Sequence, residues 1–562
     1  MDPRSAGLLP AGARSIEHDP RIAQMHLRAL GRLAVVIVLD KSKGACEPRY
    51  GGGDVVIAEV RQNRIDGHGA VSQHGNTICR GANAINRCAW EMEKVTTLPF
   101  RALSWCGGVW MQFRTSGRAV LAGLAIALGV AASAQEHASK AGAFNPALPL
   151  VHVEHGSNSA AAQKAHYVVL VSLDGFRWDY AKRDGATHLL ALGKQGAWAP
   201  EGMLPSYPSL TFPNHFTIVT GLYPEHHGLV ANNFYDETKQ ARYANNDPSA
   251  VTDGNWYSGV PLWSLAEGQG MHTACLFWPG SEAEIAGQRP TWYARFDEKT
   301  EGTDAVQQAR IDDAVGLLRM PEADRPHLIT IYYSEPDHEG HSFGPDAPET
   351  KAAVKKMDAM IGKLKAALDK TKLPIDLVVV SDHGMIKAED GWVTLDKFAN
   401  LDGFEAVGPL LYGKSEEDRV RVYNQLKKAS SQFVVYRRKD VPGGMNYNKN
   451  PRTGDPVIVA MGPYAIRARE PAAGKTDQPP NAGIHGLDPG RFPQMKASFF
   501  AAGPDIVSGK TVAPFANVNL YPWMAHMLGL TAPKTDGILN ILAGTLRDGG
   551  GDAAPAESVN QN

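Results

Sequence analysis

Four short runs of apolar residues stand out in the chain, and they predict strands that are buried on both faces of a sheet. The runs are rich in β-branched or aromatic residues and do not alternate with polar positions; they cover residues 167–173, 328–333, 377–380 and 497–502. Helical patterns lie between them, such as the one from Thr350 to Lys370. Buried strands separated by helices favour an α/β fold, with a mostly parallel sheet flanked by helices.

Three of these runs lead directly into acidic or histidine residues. The first is followed by Asp174, the second by the segment from Glu335 to His341, and the third by Asp382 and His383. In an open α/β sheet, ligands bind outside the carboxyl ends of the strands. We therefore expect these segments to meet in one crevice, although long stretches of chain separate them.

The residue types in these segments suit a metal site. Aspartate oxygens and histidine nitrogens without sulfur are typical of zinc or a similar first-row divalent ion. Asp337 and His341 are four residues apart and share one face if a helical turn begins there. Taken singly, each segment has an ordinary interpretation as a turn or a surface helical pair. Their occurrence at three strand ends, together with His485 in a Gly-Ile-His-Gly segment, favours a shared metal centre.

Thr211 stands where an extended, proline-rich segment gives way to a predicted helix, with Pro213 in its first turn and Gly221 at its end. A hydroxyl at a helix amino terminus faces backbone N–H groups and the positive end of the helix dipole, which attract an anion. The ordinary interpretation is that Thr211 caps the helix. A metal nearby favours a nucleophile instead, because a divalent cation lowers the pKa of an oxygen bound to it.

The composition is that of an ordinary globular protein. The 562 residues are 43% hydrophobic and 21% charged, with 57 Lys and Arg against 59 Asp and Glu. The net charge of −2 provides no cationic surplus for a phosphate backbone, so we expect no stable nucleic-acid partner. Four of the five cysteines lie in the first 110 residues without a Cys-x-x-Cys pair, which argues against a zinc or disulfide framework there.

Residues 1–110 show no sustained helical or alternating pattern, and we predict no fold for them. From Met111 the chain has two arginines, an apolar run of about 14 residues and small residues up to Ala134, which is the layout of a secretory signal peptide, residues 111–134. We expect translation to begin at Met111 and the upstream residues to be an artefact of the gene model. A buried Ala/Leu helix of a first domain is the alternative. The run is shorter than the roughly 20 residues of a membrane-spanning helix, so no permanent anchor is expected.

Cleavage after Ala134 predicts a periplasmic or secreted protein. It would begin with a flexible linker, residues 135–163, and end in a similar tail, residues 547–562. The predicted catalytic domain lies between them, at residues 164–546. Its segment 386–481 is long for a simple connection and rich in Gly, Pro, Lys and Asp, so we expect a smaller inserted lobe beside the site.

The motifs of this domain resemble those of a known family, the nucleotide pyrophosphatases/phosphodiesterases (type I phosphodiesterases) of the alkaline phosphatase superfamily. The similar segments are Asp174-Gly-Phe-Arg, Thr211-Phe-Pro-Asn, Gly221-Leu-Tyr-Pro-Glu-His-His-Gly, Glu335-Pro-Asp-His-Glu-Gly-His341, Ser381-Asp-His-Gly-Met385 and Gly483-Ile-His-Gly486. The resemblance covers about residues 165–540 in the expected order, and it implies an alkaline phosphatase-like core.

The resemblance also implies two Zn2+ per chain. One ion would be bound by Asp337, His341 and His485, and the other by Asp174, Asp382 and His383, with Thr211 on the second ion as the nucleophile. Asn232 matches the family asparagine that donates a hydrogen bond to a phosphate oxygen, together with the N–H of Thr211.

The implied activity is hydrolysis of nucleotide diesters or pyrophosphates to nucleoside monophosphates, by an exported zinc enzyme with a phospho-threonine intermediate and a small-molecule substrate. Phe212 and Tyr332 correspond to aromatics that sandwich the nucleobase in family members, although aromatics beside buried strands more often belong to the core. Two alternatives stay open: a relative that acts on lipid or choline head groups or on phosphomonoesters, and a binding protein that kept the fold without turnover. The sequence makes no prediction of the oligomeric state.

Overall fold

A computed structural model of the chain describes residues 144–471 and 480–550 in full. Before residue 144 it describes only the backbone of five strands, Cys46–Tyr50, Val56–Ile65, Val71–Thr77, Arg101–Cys106 and Val109–Arg114. The first three form one antiparallel sheet, and the last two form an antiparallel pair. The sequence pattern predicts none of these strands. The apolar run of the predicted signal peptide lies outside the described residues, so that peptide stays a prediction.

The fully described part is built around a sheet of nine strands. In chain order these are β1 (Leu150–His152), β2 (Tyr167–Leu173), β3 (Ala197–Trp198), β4 (Thr273–Leu276), β5 (Trp292–Ala294), β6 (Leu328–Tyr333), β7 (Ile375–Val380), β8 (Phe499–Ala502) and β9 (Lys510–Thr511). Across the sheet the order is β9-β3-β8-β7-β2-β6-β4-β5-β1. The five consecutive strands from β7 to β5 are parallel, whereas β8 and β1 are antiparallel to their neighbours. The predicted α/β fold with a mostly parallel sheet is confirmed.

The four predicted apolar strands are β2, β6, β7 and β8. The bounds of β2 and β6 are those predicted, and every residue of both strands is buried. Tyr167 of β2 pairs with Ile375 of β7, and Val168 pairs with Leu328 of β6. Because the three strands are adjacent, parallel and in register, the segments that follow them emerge side by side at one edge of the sheet.

Helices cover both faces of this sheet. The helices of the fully described part are α1 (Tyr180–Arg183), α2 (Thr187–Gln195), α3 (Thr211–Thr220), α4 (Pro224–His227), α5 (Pro248–Val251), α6 (Leu262–Gly268), α7 (Asp304–Leu318), α8 (Asp337–Phe343), α9 (Pro348–Asp369), α10 (Glu416–Leu426) and α11 (Leu520–Met527). Of these, α10 packs away from this sheet, in a separate apolar cluster. Alternate residues of β2 belong to two apolar clusters. Val168 packs in the cluster that includes Phe216 of α3, and Val169 in the one that includes Val354 of α9. None of the described helices is both long and apolar enough to span a bilayer.

A third apolar cluster lies within residues 393–468, in the segment for which the sequence predicts a smaller lobe. This segment contains α10 and short strands that pair with one another, Trp392–Thr394 with Ala465–Arg467, Phe404–Val407 with Leu410–Gly413, and Phe433–Tyr436 with Val457–Ala460. Two further pairs join Ile386–Lys387 to Gly483–Ile484 and Asn233–Asp236 to Ala241–Ala244.

Residues 144–163 differ from the predicted flexible linker, because they pack onto the sheet. β1 pairs with β5 at the sheet edge, and Leu148 is buried. The Asn158 side chain donates hydrogen bonds to the carbonyls of Glu322 and Arg325. The small polar residues that indicate a loop here satisfy backbone groups of neighbouring segments instead, and composition alone does not distinguish the two situations.

Candidate active site

The residues that follow β2, β6 and β7 meet at the carboxyl edge of the sheet, as the sequence predicts. Hydrogen bonds donated by backbone N–H groups connect them: the N–H of Asp337 donates to the carbonyl of Asp174 at 3.1 Å, and the N–H of Gly175 donates to the side-chain Oδ1 of Asp382 at 3.1 Å. Gly175 has φ +65°, and a Cβ on it would lie 2.7 Å from Oδ1 of Asp337. Only glycine therefore permits this close approach.

Asp337, His341 and His485 form the first cluster. Nε2 of His341 lies 3.3 Å from Oδ2 of Asp337 and 3.1 Å from Nε2 of His485. The other ring nitrogens bond to backbone carbonyls, Nδ1 of His341 to Gly483 at 2.8 Å and Nδ1 of His485 to Ser209 at 2.9 Å. This arrangement holds the proton on Nδ1 and turns the Nε2 lone pair towards the cluster, as in metal-binding histidines.

Asp174, Asp382 and His383 form the second cluster. Nε2 of His383 lies 2.9 Å from Oδ2 of Asp382 and 3.6 Å from Oδ1 of Asp174, while its Nδ1 bonds to the carbonyl of Gly384 at 3.0 Å. The rings of His383 and His485 stack with centroids 3.6 Å apart, which joins the two clusters. All six predicted ligands are thus gathered in one place.

Thr211 is the first residue of α3, and its hydroxyl points to the second cluster. Its Oγ1 lies 3.3 Å from Nε2 of His383. The residue at the cap position is Leu210, in extended conformation, and no side chain caps the helix. The predicted end is also present, since Gly221 is left-handed with φ 66°. The interpretation of Thr211 as a cap is therefore wrong, and its hydroxyl is available for chemistry.

The electrostatics of the two clusters fit bound cations. One buried oxygen each of Asp174, Asp337 and Asp382 has no hydrogen-bond partner. Burial and the neighbouring carboxylates raise the pKa of Asp174 well above its usual value. Burial alone would lower the pKa of His341, but the Asp337 carboxylate raises it to about 9. Unpartnered carboxylate oxygens facing histidine Nε2 atoms are the donor set of a zinc-type site, and a cation would compensate this buried negative charge.

His215, which was not among the predicted site residues, is fully buried beside the second cluster. Its Nδ1 donates to the carbonyl of Thr211 at 2.9 Å and lies 3.4 Å from Oδ2 of Asp382, and its Nε2 lies 2.8 Å from Oγ of Ser172. The signal was present in the Thr-Phe-Pro-Asn-His segment, because a residue four positions after Thr211 lies on the same helix face. His215 therefore connects the start of α3 to a predicted ligand.

Asn232 contacts the start of α3 as well. Its Oδ1 accepts a hydrogen bond from the N–H of Phe212 at 2.9 Å. Since the carbonyl end of the amide is used in this way, the amide NH2 is the group that remains to donate. The expected contact of Asn232 with a phosphate oxygen stays a prediction.

Phe212 and Tyr332 are both buried, and they belong to different apolar clusters. The Tyr332 hydroxyl donates to Oδ2 of Asp174 at 2.6 Å, a contact that the sequence does not indicate. Its ring is flanked by Phe277 and Phe296, and Phe296 is 41% exposed. The predicted nucleobase contacts of Phe212 and Tyr332 stay predictions.

Comparisons with known proteins place this geometry in context. The family model described as type I phosphodiesterase/nucleotide pyrophosphatase matches residues 168–488. The rat ectonucleotide pyrophosphatase/phosphodiesterase family member 7 is 32% identical over 69% of the chain and 89% of the rat protein. An uncharacterised pyrophosphatase/phosphodiesterase of Schizosaccharomyces pombe is 34% identical over 66% of the chain and 78% of its own length.

The chain is also similar to solved structures. Murine ectonucleotide pyrophosphatase/phosphodiesterase 5 aligns with a TM-score of 0.62 and 28% identity, over 68% of this chain and all of the murine one. An inactive variant of that murine protein, in which a threonine is replaced by alanine, was solved in complex with AMP; it aligns with a TM-score of 0.62 and 27% identity over the same shares.

Proposed function

The chain belongs to the type I phosphodiesterase/nucleotide pyrophosphatase family of hydrolases, and on that premise we propose that Thr211 attacks the phosphorus of a nucleotide diester or pyrophosphate at a centre of two zinc ions. The observation that carries the proposal is the position of the Thr211 hydroxyl, 3.3 Å from Nε2 of His383 and at the amino terminus of α3. A nucleophile at this place has a helix terminus to receive the phosphate and a cluster of ligands beside it.

Two sets of three side chains would hold the ions. The first set is Asp337, His341 and His485, and the second is Asp174, Asp382 and His383 together with the Thr211 oxygen. Bound zinc would lower the pKa of the Thr211 hydroxyl and stabilise negative charge on the leaving oxygen. Burial and the neighbouring His383 lower the pKa of His485 to about 3, so this ring is neutral, as a ligand must be. His341, whose pKa the Asp337 carboxylate raises to about 9, would lose its Nε2 proton when an ion binds.

The proposed reaction then proceeds in two steps. Oγ1 of Thr211 forms a bond to phosphorus, the bond to the leaving oxygen breaks, and the hydroxyl proton ends on the leaving group. A water molecule next attacks the phospho-threonine, restores the Thr211 hydroxyl and releases a nucleoside monophosphate. The N–H of Thr211 and the amide of Asn232 would donate to a phosphate oxygen, where negative charge develops. His215 would hold the Thr211 carbonyl in place.

Nucleotides are the proposed substrate class. The names of the relatives and the AMP complex of the murine structure support this choice. The nucleobase would lie near Phe212 and Tyr332, where an aromatic contact is worth on the order of 1–3 kcal/mol. A choline or lipid head group has no aromatic ring to make such a contact.

Replacing Thr211 tests the proposal. We expect Thr211→Ala to lose hydrolysis of the nitrophenyl ester of thymidine 5′-monophosphate by on the order of 10³-fold or more while keeping its zinc content, because the six aspartate and histidine ligands are intact. Thr211→Ser is the matched variant that keeps a hydroxyl and should keep measurable turnover. Unchanged hydrolysis by Thr211→Ala would contradict the proposal. Faster hydrolysis of nitrophenyl phosphate than of the nucleotide ester by the parent enzyme would favour a phosphomonoesterase.

We also propose that the protein is exported after cleavage of residues 111–134. The pattern of arginines, apolar run and small residues before Gln135 supports this proposal. Amino-terminal sequencing of the periplasmic or secreted protein is expected to begin at Gln135. Recovery of a cytoplasmic protein that begins at Met1 or Met111 would contradict it.

A further inference from the structure

A further group of candidate metal ligands lies at the opposite edge of the sheet. His166 immediately precedes β2, Asp376 is the second residue of β7, and Asp505 follows β8. The pairing of Tyr167 with Ile375 brings the first two together. β8 is antiparallel to β7, so the chain after β8 returns to the same edge. The three residues therefore meet at the amino edge of the parallel strands, away from the active site.

One candidate ligand atom from each of the three side chains lies within 4.8 Å of the others. Nδ1 of His166 is 2.9 Å from Oδ1 and 3.0 Å from Oδ2 of Asp505. The N–H of Asp505 donates to Oδ1 of Asp376 at 3.0 Å. Zinc bonds of about 2.0–2.2 Å place neighbouring ligand atoms about 3.3–3.5 Å apart in a tetrahedral site, which this group can reach with small side-chain movements.

Asp376 provides an independent sign that a ligand is missing. Its side chain is completely buried, and its Oδ2 has no hydrogen-bond partner. Arg547 lies on this side of the sheet, but its Nε donates to the carbonyl of Pro504, and no described ion pair joins it to either carboxylate. The buried Oδ2 of Asp376 therefore faces this group without a hydrogen-bond partner among the described residues.

We infer that His166, Asp376 and Asp505 bind a divalent first-row cation such as Zn2+, at a site separate from the two catalytic clusters. Two carboxylates and one imidazole without sulfur suit such an ion. The His166 side chain is 40% exposed and that of Asp505 is 29% exposed, which leaves a path for entry and a place for water as a further ligand. Asp376 and Asp382 are six residues apart along β7 and its end, so the two sites are separated by about 20 Å.

The ion would tie the amino ends of β2 and β7 to the chain after β8. Its function is structural, because no group of the proposed reaction lies at this edge. Metal content and metal-dependent stability are therefore the properties that report on it, whereas turnover is not.

The test compares the full chain with Asp505→Asn, after removal of metal with a chelator and dialysis against Zn2+. We expect Asp505→Asn to hold one zinc ion fewer per chain and to hydrolyse the nitrophenyl nucleotide ester within about twofold of the parent rate. Asp548→Asn is the matched control, because Asp548 also pairs with a histidine, His526, at 2.7 Å but belongs to no group of candidate ligands among the described residues. This control should keep the parent zinc content.

Equal zinc contents in the parent and in Asp505→Asn would overturn the inference and indicate that the two carboxylates share a proton. If Asp505→Asn does not fold, His166→Gln removes the exposed ligand and the same loss of one ion is expected. The difference in zinc content between the parent and the variant does not depend on whether the catalytic clusters bind zinc. Failure of this inference can therefore be distinguished from failure of the proposed function.

Discussion

The hydroxyl of Tyr332 donates a hydrogen bond of 2.6 Å to Oδ2 of Asp174. Both side chains are buried, and the other carboxylate oxygen, Oδ1, lies 3.6 Å from Nε2 of His383. The hydrogen bond therefore holds Oδ2 of Asp174 and leaves Oδ1 as the oxygen that faces His383. An aromatic residue that the sequence assigns to substrate binding also positions a proposed metal ligand.

We expect Tyr332→Phe to weaken metal binding by about 10–100-fold, because partners that orient a ligand contribute an effect of this size. The change removes the hydroxyl and keeps the ring, so a purely stacking role would leave metal affinity unchanged. Zinc competition with a chelator measures the effect. Tyr333→Phe is the matched control, since the Tyr333 hydroxyl only approaches the carbonyl of Gln307, at 3.5 Å.

Gly175→Ala is expected to abolish turnover and zinc binding at the active site. A Cβ at this position would lie 2.7 Å from Oδ1 of Asp337 and 2.9 Å from its Cα. Gly185→Ala separates this clash from backbone strain, because Gly185 has a similar φ of +73° but open space around it. Gly185→Ala should lose about 1–2 kcal/mol of unfolding free energy from backbone strain alone, and Gly175→Ala should lose more because of the added clash. Equal activity in the two variants would show that the contact with Asp337 is unimportant.

Removal of metal should lower both activity and thermal stability. Without a cation, one buried oxygen each of Asp174, Asp337 and Asp382 has no hydrogen-bond partner. A ligand at 1,000 times its Kd stabilises the folded protein by about 4 kcal/mol per site. We expect a chelator to abolish hydrolysis and lower the Tm, and Zn2+ to restore both. Mg2+ should restore little, since it prefers octahedral oxygen ligands. Asp337→Asn should respond less to the chelator; an identical Tm shift would contradict this account.

Glu282 is expected to make stability depend on pH. Burial raises its pKa to about 7, against an ordinary value of 4.5. A raised pKa means that the folded state holds the proton more tightly, so this contribution to stability is complete below about pH 4.5 and is lost as the pH rises through about 7. The free energy of unfolding of Glu282→Gln, measured with urea, should therefore rise relative to that of the parent as the pH increases from 5 to 8.

Glu284→Gln provides the control for this titration. The Glu284 side chain is 61% exposed, so its replacement should change the free energy of unfolding by the same amount at pH 5 and at pH 8. A constant difference between the parent and Glu282→Gln across this range would exclude Glu282 as the titrating group.

Much of the site was predictable because its signals are local. The β2 and β6 strands have the predicted bounds, since continuous apolar runs of this length indicate buried strands. The helix after Thr211 begins and ends where Pro213 and Gly221 indicate. Residues 144–163 were not predictable in the same way, because pairing of β1 with β5 depends on a partner about 140 positions away.

The sequence by itself determined the fold class, the polar segments that follow three central strands, and the residue types of the two candidate metal-binding clusters. These follow from hydrophobic periodicity, helix-terminus residues and the donor chemistry of aspartate and histidine, all of which act over a few neighbouring positions. Only the tertiary structure decided that His215 supports Thr211, that Tyr332 binds Asp174 and that His166 meets Asp376 and Asp505. Such contacts depend on strand order and register, which bring distant residues within hydrogen-bond distance without any local pattern that marks them.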